Sequence, residues 1–204
     1  MLTLTHPPDT LTLQWPTDLK LNVTPAQFAQ LAIANPELKL ERTATGELIV
    51  NPPTGGETGH RNIRIAYFLV KWMEEEGGHG IAFDSSTGFI LPNGANRSPD
   101  AAWIRLDRWQ TLTPVQRRGF VPLCPDFVIE LRSESDSLSK LQDKLQEYID
   151  NGTQLGWLID PQQEQVEIYR PGQEVEILPN SRQLSGENVL PGFVLDWQHI
   201  ISNQ

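Results

Sequence analysis

Carboxylates are rare inside apolar runs, and this chain places three of them there or at the edge of one. In Pro125-Asp126-Phe127-Val128-Ile129-Glu130-Leu131-Arg132-Ser133, strand alternation sends Phe127, Ile129 and Leu131 to one face. Asp126, Val128, Glu130 and Arg132 go to the other. An ionised carboxylate buried without a partner is costly, so Glu130 calls for a cation, a hydrogen-bond network or a metal. Ser98-Pro99-Asp100-Ala101-Ala102-Trp103-Ile104 sets another carboxylate at a strand entrance directly after a proline, although an aspartate capping a turn fits the same pattern. A hard divalent cation such as Mg²⁺ takes one or two carboxylates plus waters, acidifies and orients a nucleophilic water, and shields a phosphodiester's charge. Asp100 with Glu130 would make such a site. Asp126 is either a further ligand or a hydrogen-bonded support for the strand.

Phosphodiester hydrolysis also needs a cation near the attacking water and the developing charge. Arg132 follows Glu130 by two residues on the same strand face, which points it into the same site, but a guanidinium cannot exchange its proton and can only clamp. Lys140 and Lys144 belong to the next amphipathic segment, whose apolar stripe is centred between Leu141 and Leu145. At 100° per residue Lys144 lies roughly 90° from that centre and Lys140 roughly 130°, so Lys144 is the better placed to reach in. Two structural alternatives stand beside this: an exposed helix lysine paired with nearby acids, and an Arg132 that pairs with Glu130 or Asp126.

The elements that must position these residues are legible along the chain. Leu2-Thr3-Leu4 and Leu11-Thr12-Leu13 look like extended arms around His6-Pro7-Pro8. Thr24-Pro25 supplies an N-cap and a first-turn proline for a short helix with Phe28, Leu31 and Ala32, ending near Asn35-Pro36. Residues 38–42 and 47–50 bracket Ala44-Thr45-Gly46 as a hairpin. From about Gly59 to Glu76 a long helix is expected, with Ile63, Ala66, Tyr67, Val70 and Met73 as its apolar stripe and Gly77-Gly78 as its stop. A second hairpin is expected around Ser85-Ser86, and a short-helix or lid-like excursion over residues 109–120. Ser137 and its polar neighbours cap the helix of Leu138, Leu141, Leu145, Tyr148 and Ile149. Leu155 to Ile159 is then a strand, followed by a further hairpin and a tail that packs back.

Composition bounds the rest. The chain has 204 residues, 38% of them hydrophobic, with six Trp, 16 Pro and 15 Gly, which suits one packed globular domain with many turns. The expected division is an N-terminal arm over 1–23, a core from about 57 to 160, and a C-terminal hairpin and tail over 161–204. Cys124 is the single cysteine, so an intrachain disulfide or a multi-cysteine zinc site is excluded, and it is expected as a small buried side chain. No signal-peptide pattern or membrane-length apolar run is present, which makes cytoplasmic the expected location and a membrane partner unexpected. A net charge of −10 repels nucleic acid at long range. Against it stands a local window from Arg97 to Arg118, net +3, which reads most simply as solvated surface arginines. The glycines at Gly55-Gly56 lack the spacing of a phosphate loop. His60, with Glu57 nearby, sits at the expected helix start, where it could meet a phosphate or a carboxylate, although a lone histidine at a helix end is more often structural.

Taken in order, Ser98-Pro99-Asp100, the run from Pro125 to Ser133, Asp143-Lys144 with Tyr148 and Gly152, and Trp157-Leu158-Ile159-Asp160-Pro161 resemble the bacterial putative restriction endonuclease family of the PD-(D/E)xK nuclease superfamily. The resemblance covers roughly residues 24 to 200. It implies an α/β fold with a restriction-endonuclease-like mixed central sheet flanked by helices, elaborated by extra N-terminal and C-terminal hairpins. It implies Asp100 and Glu130 as metal ligands for Mg²⁺, with Mn²⁺ as an alternative, and DNA as the substrate. The superfamily's strand lysine is Arg132 here, and its role maps onto Lys144 of the following helix. The expected function is a metal-dependent DNA endonuclease in which Asp100 and Glu130 hold the metal, Lys144 positions or activates water and Arg132 steadies phosphate. The alternative is a catalytically inactive nuclease fold that binds nucleic acid or a protein partner. Cutting both strands would need two sites, which makes a homodimer an expected partner arrangement.

Overall fold

The structure is a computed structural model that describes residues 20–180 and 182–201; the two expected N-terminal arms fall outside them. Thr24 closes the start of α1 (Pro25–Ala34) with a capping box, its hydroxyl accepting from the Gln27 amide while the Gln27 side chain accepts from its own. β1 (Lys39–Arg42) and β2 (Leu48–Asn51) form the expected hairpin. Gly46 sits in its turn at φ +97°, a conformation that favours glycine.

α2 (Gly56–Glu75) buries a different face from the one its periodicity suggests. Ile65, Leu69 and Trp72 pack inward, whereas Ile63, Tyr67 and Val70 face solvent. Both sets recur at helical spacing. The inward set includes Trp72, which meets Trp103 and Phe193 edge-on or tilted.

The expected second hairpin does not form. β3 (Gly80–Asp84) pairs with β6 (Ala101–Arg105), while β4 (Phe89–Ile90) pairs with β5 (Asn96–Arg97). Asp84 accepts from the amide and hydroxyl of Ser86 and the hydroxyl of Thr87, and this turn carries the chain from one sheet to another. The excursion after β6 is α3 (Leu106–Gln110) and a single 3₁₀ turn over Gln116–Arg118.

β7 (Phe127–Leu131) leads through α4 (Leu138–Asp150) to β8 (Leu155–Asp160), and β9 (Gln165–Tyr169) and β10 (Glu176–Pro179) complete a six-stranded sheet in the order β10-β9-β8-β7-β6-β3. Only β7 and β8 run parallel, as the intervening helix requires. A four-stranded sheet, β2-β1-β5-β4, lies beside it, and β11 (Gln183–Ser185) pairs with β12 (Val194–Asp196) ahead of α5 (Trp197–Ile201). The fold is thus a mixed central sheet flanked by helices. No described helix is long and apolar enough to cross a membrane.

The sheet separates two cores. On one face Phe127, Ile129 and Leu131 join Trp157, α2 and the C-terminal Leu190, Phe193 and Trp197. Trp157 stacks on Phe193 with centroids 5.8 Å apart. On the other face Val128 and Leu158 meet Leu145 and Tyr148 of α4, and Cys124 is buried there too. Gly156 lies under α4: a Cβ on it would fall 2.7 Å from the Leu145 side chain, so the helix rests almost directly on the strand.

Candidate active site

Strand alternation places Glu130 on the α4 face with Val128, where it is 3% exposed. Asp100 precedes β6, whose antiparallel register pairs Ala101 with Ile129. One step further, Asp100 falls opposite Glu130 across the strand pair. Asp100 prolongs the ladder: its amide donates to the Ile129 carbonyl at 3.0 Å, and its Oδ2 accepts from the Leu131 amide at 2.9 Å. Asn62 of α2 donates to Oδ1 at 3.3 Å, and the Lys39 ammonium lies 3.7 Å from the same oxygen.

Lys144 points into this site. Its Nζ lies 2.7 Å from Glu130 Oε1 and 2.9 Å from Glu41 Oε1, and it donates to the Ser98 carbonyl at 3.1 Å. Lys140, one turn earlier, is exposed. Glu41 is as buried as Glu130, accepts the Ser98 amide at 2.9 Å and meets Arg97 at 3.3 Å, while Arg97 also pairs with Glu147. Three acids and two cations therefore interlock, with β1 and α4 contributing from opposite sides.

The electrostatics follow from the burial. Loss of water pushes the Glu130 carboxyl up to about 7; Lys144 opposes this, and the Asp100 and Glu41 charges reinforce it. Burial works the same way on Glu41, but Lys144, Arg97 and the Ser98 amide outweigh it and hold that carboxyl below its ordinary value. Burial also disfavours the Lys144 ammonium, yet Glu130 and Glu41 together hold it well above the usual lysine range. Glu130 is the one strained member. Its Oε1 is buried and meets Lys144 as an ion pair rather than as an aligned hydrogen bond.

Two residues expected at this site lie elsewhere. Asp126 is at the opposite end of β7, about 13 Å of strand away from Glu130 at the usual rise per residue. It pairs with Arg108 at 2.9 Å and accepts the Arg105 amide at 2.9 Å, so it is a strand support and not a third ligand. Arg132 lies just past the end of β7. The parallel register that sets Leu131 against Ile159 brings Arg132 to Asp160, which it contacts at 2.7 Å, and its Nε donates to the Asp136 carbonyl at 3.3 Å. It pairs with neither Glu130 nor Asp126. Asp160 is fully buried and also accepts the amides of Gln162 and Gln163.

Arg132→Ala is accordingly expected to lower stability by about 2 kcal/mol, below the usual cost of breaking a buried pair because two amides still serve Asp160. Urea unfolding measures the loss, and Mn²⁺ titration checks that ion binding is retained. Unchanged stability with lost ion binding would return Arg132 to the acid cluster.

Of the basic window, Arg97 alone enters the cluster. Arg105 pairs with Asp107, Arg108 with Asp126, and Arg117 lies 5.1 Å from the centre of the Trp109 ring. The residues missed in the sequence are Glu41, Lys39 and Asn62. Glu41 alternates with Leu40 like any half-exposed strand residue, and nothing local announces that both of its faces are covered.

Among the described residues no three His, Cys, Asp or Glu side chains converge as a ready metal cage. The Asp100 and Glu130 pair nevertheless fits the one or two carboxylates that Mg²⁺ takes from a protein. Glu130 Oε1, buried and met by the Lys144 ammonium without an aligned hydrogen bond, is an oxygen suited to a cation.

Among solved structures, a putative nuclease belonging to DUF820 from Anabaena variabilis superposes with a TM-score of 0.67 at 22% identity, over 80% of this chain and 89% of that one. The two share the fold. A DrdV–DNA complex aligns over 59% of this chain and 10% of the other at 18% identity, with a TM-score of 0.35. No curated protein matches the chain significantly. The Uma2 family, described as "putative restriction endonuclease", matches residues 25–198, which contain every member of the acid and lysine cluster, and the chain belongs to that family.

Proposed function

We propose that this protein is a divalent-metal-dependent endonuclease that hydrolyses phosphodiester bonds in DNA. The observation that carries the reading is the buried Glu130–Lys144–Glu41 array beside Asp100, a costly arrangement that stability alone does not call for. Asp100 and Glu130 would hold Mg²⁺ or Mn²⁺, which when bound acidifies water and neutralises phosphate charge. Asn62 and the Leu131 amide fix the Asp100 carboxylate in direction. Lys144 favours the ionised form of Glu130 and fixes its position. Glu41 and the Ser98 carbonyl hold the ammonium in place, so that it cannot swing toward solvent. Cleavage of both strands requires two such sites, which a homodimer supplies.

One observation favours the alternative of a silent binding fold. The Lys144 ammonium is already surrounded by three oxygens within 3.1 Å, which leaves little room for a phosphate or a water beside it.

Plasmid cleavage in Mg²⁺ or Mn²⁺ separates the two. Wild type is expected to nick and linearise supercoiled DNA, and Asp100→Ala, Glu130→Ala and Lys144→Ala each to lose about 100-fold or more, the scale of removing one transition-state stabiliser. Cutting that survives all three substitutions removes the assignment; a wild type that binds DNA but never cuts it establishes the silent reading.

A further inference from the structure

The cluster is graded in exposure. Side chains of Glu41 and Glu130 are 4% exposed, Lys144 12%, Asp100 15% and Lys39 32%. Lys39 is therefore the most open to water of these side chains, while Asp100 and Lys144 are covered to a similar degree. A phosphodiester arriving from solvent meets Lys39 before any other cation of the cluster. Lys39 and Glu41 are two apart on β1, hence on one face of that strand, so the strand that buries Glu41 against Lys144 also aims Lys39 at Asp100.

The two lysines differ in what they have left to give. Three oxygens within 3.1 Å surround the Lys144 ammonium. Lys39 has a single ion-pair contact, at 3.7 Å, on a long flexible stem, and an ammonium carries three donors. In a chain of net charge −10, a polyanion needs a local exposed cation to approach an acidic cleft.

We infer that Lys39 is the substrate-contacting cation of this site: it binds a backbone phosphate of the DNA strand next to Asp100, while Lys144 serves as an internal counter-ion. The inference rests on the proposed nuclease reading for its ligand, DNA, and assigns Lys39 a role separate from hydrolysis itself.

Binding of a short fluorescein-labelled DNA duplex, followed by anisotropy in Ca²⁺ over a series of NaCl concentrations, tests it. One lost phosphate contact lowers the magnitude of the log affinity against log salt slope by about 0.9. Lys39→Ala is expected to weaken binding about five- to tenfold at low salt with that change of slope, and Lys39→Arg to restore both. Lys71→Ala, an α2 lysine paired with Glu75, controls for the loss of any positive charge and is expected to leave the slope as in wild type. In Mn²⁺-driven cleavage, Lys39→Ala raises KM more than it lowers kcat. An unchanged slope and affinity in Lys39→Ala overturns the inference, as does an equal loss in Lys71→Ala. A wild type that binds with the expected slope but does not cut defeats the hydrolytic reading and leaves the Lys39 result decisive; a wild type that does not bind DNA overturns both.

Discussion

Replacing Lys144 by alanine is expected to cost about 3–5 kcal/mol of stability at pH 8, the range for removing one partner from a buried ion pair. The loss leaves Glu41 and Glu130 facing the same space, each 3% exposed, with Arg97 able to serve only the first. At pH 5 the cost is smaller, because Glu130, its carboxyl pushed up to about 7, already holds a proton there and the lysine balances only the Glu41 charge. Lys144→Met, which keeps the apolar stem, separates charge from packing, and Glu130→Gln in the Lys144→Met background is expected to recover part of the loss. Urea unfolding at the two pH values measures all of these. A loss under about 1 kcal/mol at pH 8, in the range of an exposed ion pair, would show that water reaches the cluster and that the array is a surface one.

The second large effect is a pH dependence. Burial pushes the Glu130 carboxyl to about 7 from an ordinary value of 4.5, so between those values the folded chain holds a proton that the unfolded chain has lost. Stability therefore falls as pH rises through that window. The contribution is full below the unfolded value and gone above the folded one. Glutamine keeps the shape and cannot ionise, so Glu130→Gln is expected to gain about 3 kcal/mol on wild type between pH 4.5 and pH 8. The difference between the two unfolding curves isolates this carboxyl, since every other titrating group is common to both. Parallel curves across the window would mean that Glu130 ionises at its ordinary pH, and would remove the strain assigned to it.

Periodic signals survived into the structure where one partner surface was enough to explain them. The alternation of Phe127, Val128, Ile129, Glu130 and Leu131 divides as read because the sheet has one core on each face. The stripe of α4 put Lys144 beside the buried face for the same reason, and the deepest side chains of that helix are Leu145 and Tyr148. α2 carries two stripes of equal spacing, and only packing against Trp103 and Phe193 selects the one containing Trp72. Glu41 was hidden because its burial depends on Lys144 of α4 and on Arg97 and Ser98 closing over β1, contacts with no local pattern. Alternation gave the right starting face for Arg132, but a long side chain past the end of a strand goes to the strongest acceptor within reach, and Asp160 is nearer than any periodicity can say. Asp126 shows the complementary limit. Alternation puts it on the face of Glu130 without registering that three residues of extended chain lie between them.

The bare Gly156 under α4 makes room for the neighbour of Lys144. Leu145 fills the space above the glycine, while Lys144, its neighbour on α4, reaches Glu41 and Glu130. A Cβ on Gly156 would meet the end of the Leu145 side chain at 2.7 Å, so that leucine, one residue from Lys144, would have to give way. A residue with no side chain, on a neighbouring strand, thus leaves room for the leucine that packs beside the lysine.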